Sequence, residues 1–303
     1  MAHRYVLVLV ILLSGAILAV QGVVGFSDAS GTPATHGNYS QIKVVRAPRN
    51  LVLRSASALV EDQRTGECLV QKQAEAIMPI ASITKLMTAM VVLDAKMDIE
   101  EWIAIAPEDV DTIRHSSSRL PVNTSLKRGD ALLLALMASE NRAAHALGRT
   151  TYPGGLGAFV DAMNAKAQSL GLTETHFIDP VGIHRGNVSS ARDLARMVDA
   201  AYQYRLIREY TTCKETTILL GGHTRQFHNT NHLLNNPQWQ IGLSKTGFID
   251  EAGRCLVMQS QVAKRPVLIV LLDSQGKLSR YGDANRIKQW MEGSQSRRQK
   301  HRG

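Results

Sequence analysis

Aromatic residues make up only 5% of this 303-residue chain, and cysteine occurs three times, at Cys68, Cys213 and Cys255. With no C-x-x-C and wide spacing, these cysteines exclude a disulfide scaffold and a thiolate zinc ribbon. At most one bridge can form, Cys213 with Cys255 being one choice. No internal repeat, low-complexity block or H-E-x-x-H pattern occurs. What is present is 44% hydrophobic and 20% charged residues, a globular balance that excludes a disordered chain, a collagen and a polytopic membrane protein.

The net charge is +9, yet much of the excess sits at the two ends: Arg4 near the start, and Arg297, Arg298, Lys300 and Arg302 in the last residues. The body between them keeps less than half of it and has few rings on which bases could stack, so no nucleic-acid partner is expected. The basic tail, residues 293–303, reads as a solvated end or a membrane-surface contact.

Residues 1–26 have the build of an export signal or an N-terminal anchor. A short basic start precedes an apolar stretch from Val6 to Val20 that suits a secretory signal better than a full membrane span. Gly22, Gly25 and Ala29 offer cleavage points without a clean A-x-A, so removal and retention both stand. Residues 27–50, rich in Ser, Gly, Thr, Pro and Asn, read as a tether. The expected location is the periplasm, with membrane attachment if the leader stays.

Residues 51–292 then form one domain. Residues 56–61 and 68–72 flank a polar turn ending at Gly66 and predict a β-hairpin. Residues 81–95 carry apolar side chains at three- and four-residue steps and predict a helix, with Pro79 at its entrance. Further helices are expected over 130–147 (Asp130 as N-cap, Gly148 after its end), 158–170 (closed by Gly171), 190–204 (capped by Ser189 or Ser190) and 283–291. Strands are expected over 241–249, 254–262 and 266–272. Strands at both ends and helices between them predict an α+β fold: one antiparallel sheet of about five strands, closed by the first and last thirds of the chain.

Three patterns carry chemistry. Ser82 and Lys85 form an S-x-x-K at the first turn of the expected helix. The three-residue step puts both side chains on one face. A serine hydroxyl needs a base to become a nucleophile, and lysine serves only if burial or another cation lowers its pKa. Two other copies, Ser40 with Lys43 and Ser274 with Lys277, lie in the tether and beside a glycine without a helix. Ser139, Glu140 and Asn141 form the chain's one S-x-N, near the middle of an expected apolar helix, where polar groups need partners. Lys245, Thr246 and Gly247 form its one K-[ST]-G, on an expected strand, offering charge, hydroxyl and close backbone approach.

In this order, and about 57 and 106 residues apart, the three patterns resemble those of the penicillin-binding and serine β-lactamase superfamily. The segments 79–94, 132–144 and 245–248 are most similar to the low-molecular-mass D-alanyl-D-alanine endopeptidases of the penicillin-binding protein 7 type. The resemblance implies that Ser82 attacks the carbonyl of the penultimate D-alanine, Lys85 takes its proton, and Ser139 relays a proton to the leaving amine. It implies that Asn141 holds substrate backbone and Lys85, and that Lys245 lowers the pKa of Lys85 and, with Thr246, attracts a substrate carboxylate. The backbone N–H groups of Ser82 and Phe248, beside Gly247, would bind the oxyanion. No metal or organic cofactor is implied. The implied partners are peptidoglycan peptide as substrate and β-lactams as covalent inhibitors.

Related readings are a D-alanyl-D-alanine carboxypeptidase, a β-lactamase, and a non-catalytic wall- or penicillin-binding domain. A β-lactamase would want a Glu followed four residues later by Asn, and Glu174 is followed by Ile178. His223, His228 and His232 read as exposed loop residues, and Gly154, Gly155 and Gly157 as a turn. Tyr152, Trp239 and Phe248 suit a substrate groove or the core equally.

Overall fold

Runs of β-branched and leucine residues near both ends of the chain build the sheet. The computed structural model describes residues 51–300, all within one compact unit. The leader and tether expected at 1–50 lie outside the described residues. In chain order come β1 (Ser55–Asp62), β2 (Cys68–Lys72), β3 (Met78–Pro79), α1 (Lys85–Asp94), β4 (Trp102–Ala104) and β5 (Ser125–Lys127). Four helices and a two-residue strand follow: α2 (Arg128–Met137), α3 (Asn141–Thr151), α4 (Gly155–Ser169), β6 (Val188–Ser189), α5 (Ala191–Tyr202) and α6 (Arg205–Thr212). The last third holds β7 (Glu215–Leu220), β8 (His223–His228), β9 (Gln240–Ile249), β10 (Gly253–Val262), β11 (Arg265–Ser274) and α7 (Ser279–Lys300).

The main sheet runs β2-β1-β11-β10-β9, antiparallel throughout. This is the expected α+β architecture, with β1 from the first third joined to β11 from the last, Leu59 opposite Val270. Alternate residues serve opposite faces. Leu59, Val257, Leu268, Val270 and Leu272 enter the core shared with α1–α6, whereas Val60, Met258, Ile269 and Leu271 pack with Tyr281, Ala284 and Ile287 of α7. Both faces are covered, which is why these strands read as nearly unbroken apolar runs. Each fully buried Leu, Ile or Val contributes about 1.5–3 kcal/mol to that packing.

Turn chemistry sets the hairpins. Asp62 Oδ1 accepts from the backbone N–H of Arg64 and Thr65, and Gly66 takes φ +69°. Gly253 (φ +59°) closes the β9–β10 connection where a Cβ would lie 2.2 Å from Asp273 Oδ1.

The middle of the chain departs from expectation in several places. The helix expected over 130–147 is two helices, α2 and α3, broken at 138–140, where Ser139 takes φ +58° and Glu140 is extended. Asp130 is therefore not the cap but a first-turn residue of α2, which begins at Arg128 after Lys127. Gly148 does not end a helix; it lies inside α3, where a Cβ would come within 2.8 Å of Pro180. No Gly or Pro marks the break, so the apolar run 131–137 hides it. Gly155 and Gly157, expected in a turn, belong to the first turn of α4. The first turn expected of the 81–95 helix is a 3₁₀ turn, Ala81–Thr84. The last helix is longer than expected, running from Ser279 to Lys300 into the basic tail, with a Lys288–Glu292 pair supporting the turn before that tail. Unanticipated are α6, a short helix of eight residues that buries only Ile207 and Thr211, and the β7–β8 hairpin, which sends Ile218, Leu220 and Phe227 into the core.

Candidate active site

Ser82 stands in the 3₁₀ turn that leads into α1, and three neighbours shape that turn. The Ile80 N–H donates to Asn187 O at 3.0 Å, and Asn187 Nδ2 donates to Thr84 Oγ1 at 3.0 Å. Gly182 (φ +85°) presses on the turn so closely that a Cβ would sit 2.0 Å from Ala81 O. From the sheet side, Gly247 approaches until a Cβ would be 2.9 Å from Ile80 O and 3.2 Å from Ser82 N. Glycine is required at both contacts for steric reasons.

One turn on, Lys85 is 1% exposed. Its Nζ lies 2.8 Å from Ser82 Oγ, 2.8 Å from Asn141 Oδ1 and 2.8 Å from Val181 O. Burial pulls this amine down to about 7, against the pull of the Asp179, Glu140 and Asp111 carboxylates, which favour its charged form. Lys245 on β9 is also 1% exposed, with Nζ donating to Thr246 O at 3.1 Å. Burial lowers its pKa well below the usual lysine value, and the nearby charges of Lys85 and Arg280 lower it further. Burial is thus the main cause at both lysines; the repulsion between them enters as a lesser cause at Lys245, and the lowering of Lys85 comes from burial rather than from Lys245 as expected.

Neutral Lys85 has two N–H bonds and one lone pair. Asn141 Oδ1 and Val181 O can only accept, so both N–H bonds are committed to them. The lone pair is left for the Ser82 hydroxyl, and the arrangement can remove that proton.

Asn141, the first residue of α3, is brought to Lys85 by the helix break. Ser139 occupies the left-handed corner itself and borders a small cavity with Ser117, Ser118, Arg119, Glu140 and Asn141. Among the described residues its hydroxyl has no hydrogen-bond partner. Thr246 Oγ1 donates to Thr230 Oγ1 at 2.7 Å. Phe248, next to the Gly247 contact, is 49% exposed with the Arg254 guanidinium 4.4 Å from its ring centroid.

Sequence reasoning missed several supports. The Asp179 carboxylate accepts from the backbone N–H groups of Val181 (2.6 Å), Gly182 (2.5 Å) and His184 (3.0 Å), shaping the loop that offers Val181 O to Lys85. An Asp followed by Pro180 and Gly182 was the available turn signal. Arg280 on α7 donates to Gly247 O (3.1 Å) and Cys255 O (3.3 Å), and its Nε is buried without a partner among the described residues. Arg114 donates to Ile183 O (2.5 Å) and pairs with Glu251 at 2.7 Å, tying the 111–116 loop to the 179–187 loop and the β9–β10 turn.

Other candidates resolve differently. Trp239 is buried, with Nε1 donating to Asn285, and Tyr152 packs on Phe159, so both belong to the core. His223 and His228 lie on strand β8 rather than in a loop, and His232 on a 3₁₀ turn. No cluster of three or more metal-ligating side chains is found among the described residues. Cys213 and Cys255 are not joined: Cys255 is buried with its thiol on Ala252 O, and Cys213 has its own on Glu215 O. Ile178 is exposed, and its N–H donates to Asn187 Oδ1.

A serine armed by a lysine amine, in place of the histidine of other serine enzymes, defines a serine hydrolase of the acyl-transfer class. The sequence profile of the D-alanyl-D-alanine carboxypeptidase family matches residues 43–276, and the chain belongs to that family of serine peptidases. It is 48% identical over 250 residues to a D-alanyl-D-alanine endopeptidase of Pseudomonas aeruginosa, covering 82% of this chain and 80% of that one. A D-alanyl-D-alanine endopeptidase of Escherichia coli is 43% identical over 242 residues, 79% of this chain and 78% of the relative. Among solved structures, the Streptomyces K15 DD-transpeptidase is similar with a TM-score of 0.74 at 26% identity, covering 82% of this chain and 99% of that one. Penicillin-binding protein D2 of Listeria monocytogenes, solved in a cefotaxime-bound form, has a TM-score of 0.72 at 27% identity, with coverages of 81% and 99%.

Proposed function

We propose that this chain is a periplasmic endopeptidase that cleaves D-alanyl–diaminopimelate cross-links in peptidoglycan through an acyl-enzyme on Ser82. The observation that carries the reading is the placement of Lys85 Nζ between two pure acceptors and one hydroxyl. Ser82 Oγ attacks the D-alanine carbonyl carbon as its proton passes to Lys85, giving a tetrahedral oxyanion facing the N–H groups of Ser82 and Phe248. The C–N bond then breaks, and the leaving amine takes its proton through Ser139. Water then gives a proton to the neutral Lys85 amine as it attacks the ester carbonyl, and Lys85 returns that proton to Ser82 Oγ as the acyl C–O bond breaks. Lys245, Thr246 and Arg280 supply positive potential and a hydroxyl for the substrate carboxylate.

The two relatives at 48% and 43% identity are both endopeptidases by name, which favours cross-link cleavage over removal of a terminal D-alanine. The export reading is supported by residues 1–26 and by the location of the wall substrate; attachment through a retained leader or the basic tail belongs to the same proposal. Among the described residues no helix is long and apolar enough to cross a membrane. A β-lactam, which presents a strained amide to the same serine, would acylate Ser82 and remain. Glu174 is followed four residues later by Ile178 instead of Asn, which argues against a β-lactamase.

A fluorescent penicillin is expected to label the protein, and Ser82→Ala to abolish labelling; a labelled Ser82→Ala protein would refute the nucleophile. Incubation with cross-linked dimeric muropeptides is expected to yield monomers. Release of terminal D-alanine from monomers with dimers left intact would establish the carboxypeptidase instead. Binding without any cleavage would leave a wall-binding domain.

A further inference from the structure

We propose that Asp111 and Ser116, which touch neither Ser82 nor Lys85, are positioning residues that decide which face the Asn141 amide turns to the lysine. This rests on the reading of Lys85 as the base for Ser82. Asp111 is 8% exposed, and its carboxylate is surrounded by donors. Oδ1 accepts from the N–H of Ile113 (3.0 Å) and Arg114 (2.9 Å), while Oδ2 accepts from the N–H (3.1 Å) and the hydroxyl (2.7 Å) of Ser116. Burial acts to raise the pKa of this carboxyl, and the donors outweigh it, leaving it below the ordinary carboxylate range.

The donor inventory then fixes each link in turn. An ionised carboxylate has only lone pairs, so the Ser116 proton points to Asp111. Ser116 Oγ keeps lone pairs alone for its other neighbour, Asn141 Nδ2, at 2.8 Å. Asn141 must therefore present its NH₂ to Ser116 and its carbonyl oxygen to Lys85, as found at 2.8 Å. An asparagine amide is nearly symmetric in shape, and its neighbours decide its orientation. Turned over, it would aim an N–H at the lysine lone pair, the pair needed to take the Ser82 proton. A buried charge two residues removed thus sets the polarity of the chain Asp111, Ser116, Asn141, Lys85, Ser82.

The test is the acylation rate with a chromogenic β-lactam, separated into the affinity of the first complex and the rate of the covalent step. Ser116→Ala is expected to slow the covalent step roughly 100-fold, a share of what a general base supplies, with affinity unchanged. Ser116→Thr, which keeps the hydroxyl, is expected to recover to within about 3-fold of wild type. Asp111→Asn can donate an N–H to Ser116, reverse the chain, and slow acylation as much as Ser116→Ala. The double variant is expected to be no slower than the slower single variant, because both break one chain. Thermal unfolding of Ser116→Ala and Ser116→Thr at matching temperatures keeps the comparison to chemistry. Ser116→Ala within 2-fold of wild type, a loss not rescued by Thr, or a loss residing in affinity would each overturn the proposal while leaving Ser82 in place. Wild-type protein that no β-lactam acylates would overturn the Ser82 reading and this one with it.

Discussion

At the scale of single residues, Lys85 links stability to chemistry. Its amine is held near 7 by burial, well below the roughly 10.4 of an unfolded lysine. Only the neutral form can take the Ser82 proton, so the acylation rate should climb as pH rises through about 7 and then level. Burial lowers that midpoint, and the facing Asp179, Glu140 and Asp111 carboxylates raise it in part. Between these two pKa values the unfolded chain binds the extra proton. Stability contributed at Lys85 is therefore lowest below pH 7 and grows as pH increases toward 10. The melting temperature of the wild type relative to Lys85→Met should accordingly improve between pH 7 and pH 10. A pH-independent difference would mean the amine is not titrating there.

Among the elements, the corner between α2 and α3 matters most. A left-handed conformation costs an L-residue roughly 1–2 kcal/mol. Ser139 takes it at φ +58°, so that α3 can start at Asn141 against Lys85. Ser139→Gly relieves that cost while removing the hydroxyl assigned to the leaving amine. The variant should melt at or above the wild-type temperature and still cut dimeric muropeptides at least about 10-fold more slowly. Slow cleavage with a lower melting temperature would point to damage of the corner instead. The corner also marks the limit of what patterning reveals. Residues 130–147 read as one helix because neither Gly nor Pro interrupts them, and the break arises from where α3 must pack. The S-x-x-K, S-x-N and K-T-G patterns were legible because each carries its chemistry in adjacent side chains. Asp111, Ser116, Asp179 and Val181 were not, since they act through loop backbone and through partners 25 to 96 residues away.

For the molecule as a whole, the decisive contacts join the two ends of the described domain. Asp283 of α7, wholly buried, accepts from Arg54 N (3.0 Å), Ser55 N (2.7 Å) and Ser55 Oγ (2.6 Å) at the start of β1. It also pairs with Arg286 and pulls on the buried Lys72 amine. Asp283→Ala would leave the backbone N–H groups of Arg54 and Ser55 without their acceptor, while Ser55 Oγ keeps Ser274 Oγ at 2.6 Å, and should destabilise the fold by about 2 kcal/mol, measurable as a lower urea midpoint with unchanged slope. An effect under about 0.5 kcal/mol would show that the ends are joined by apolar packing alone.

The sequence by itself determined the secondary elements with strong periodicity, the sheet they form and the three groups of reactive side chains. These are local properties, set by residue type and by spacing within a few residues. Tertiary structure alone decided that Lys85 loses its charge preference, that Asn141 turns its oxygen toward it, and that Arg280 reaches the Gly247 carbonyl. Burial and hydrogen-bond direction depend on what surrounds a group in space, and those surroundings come from distant parts of the chain.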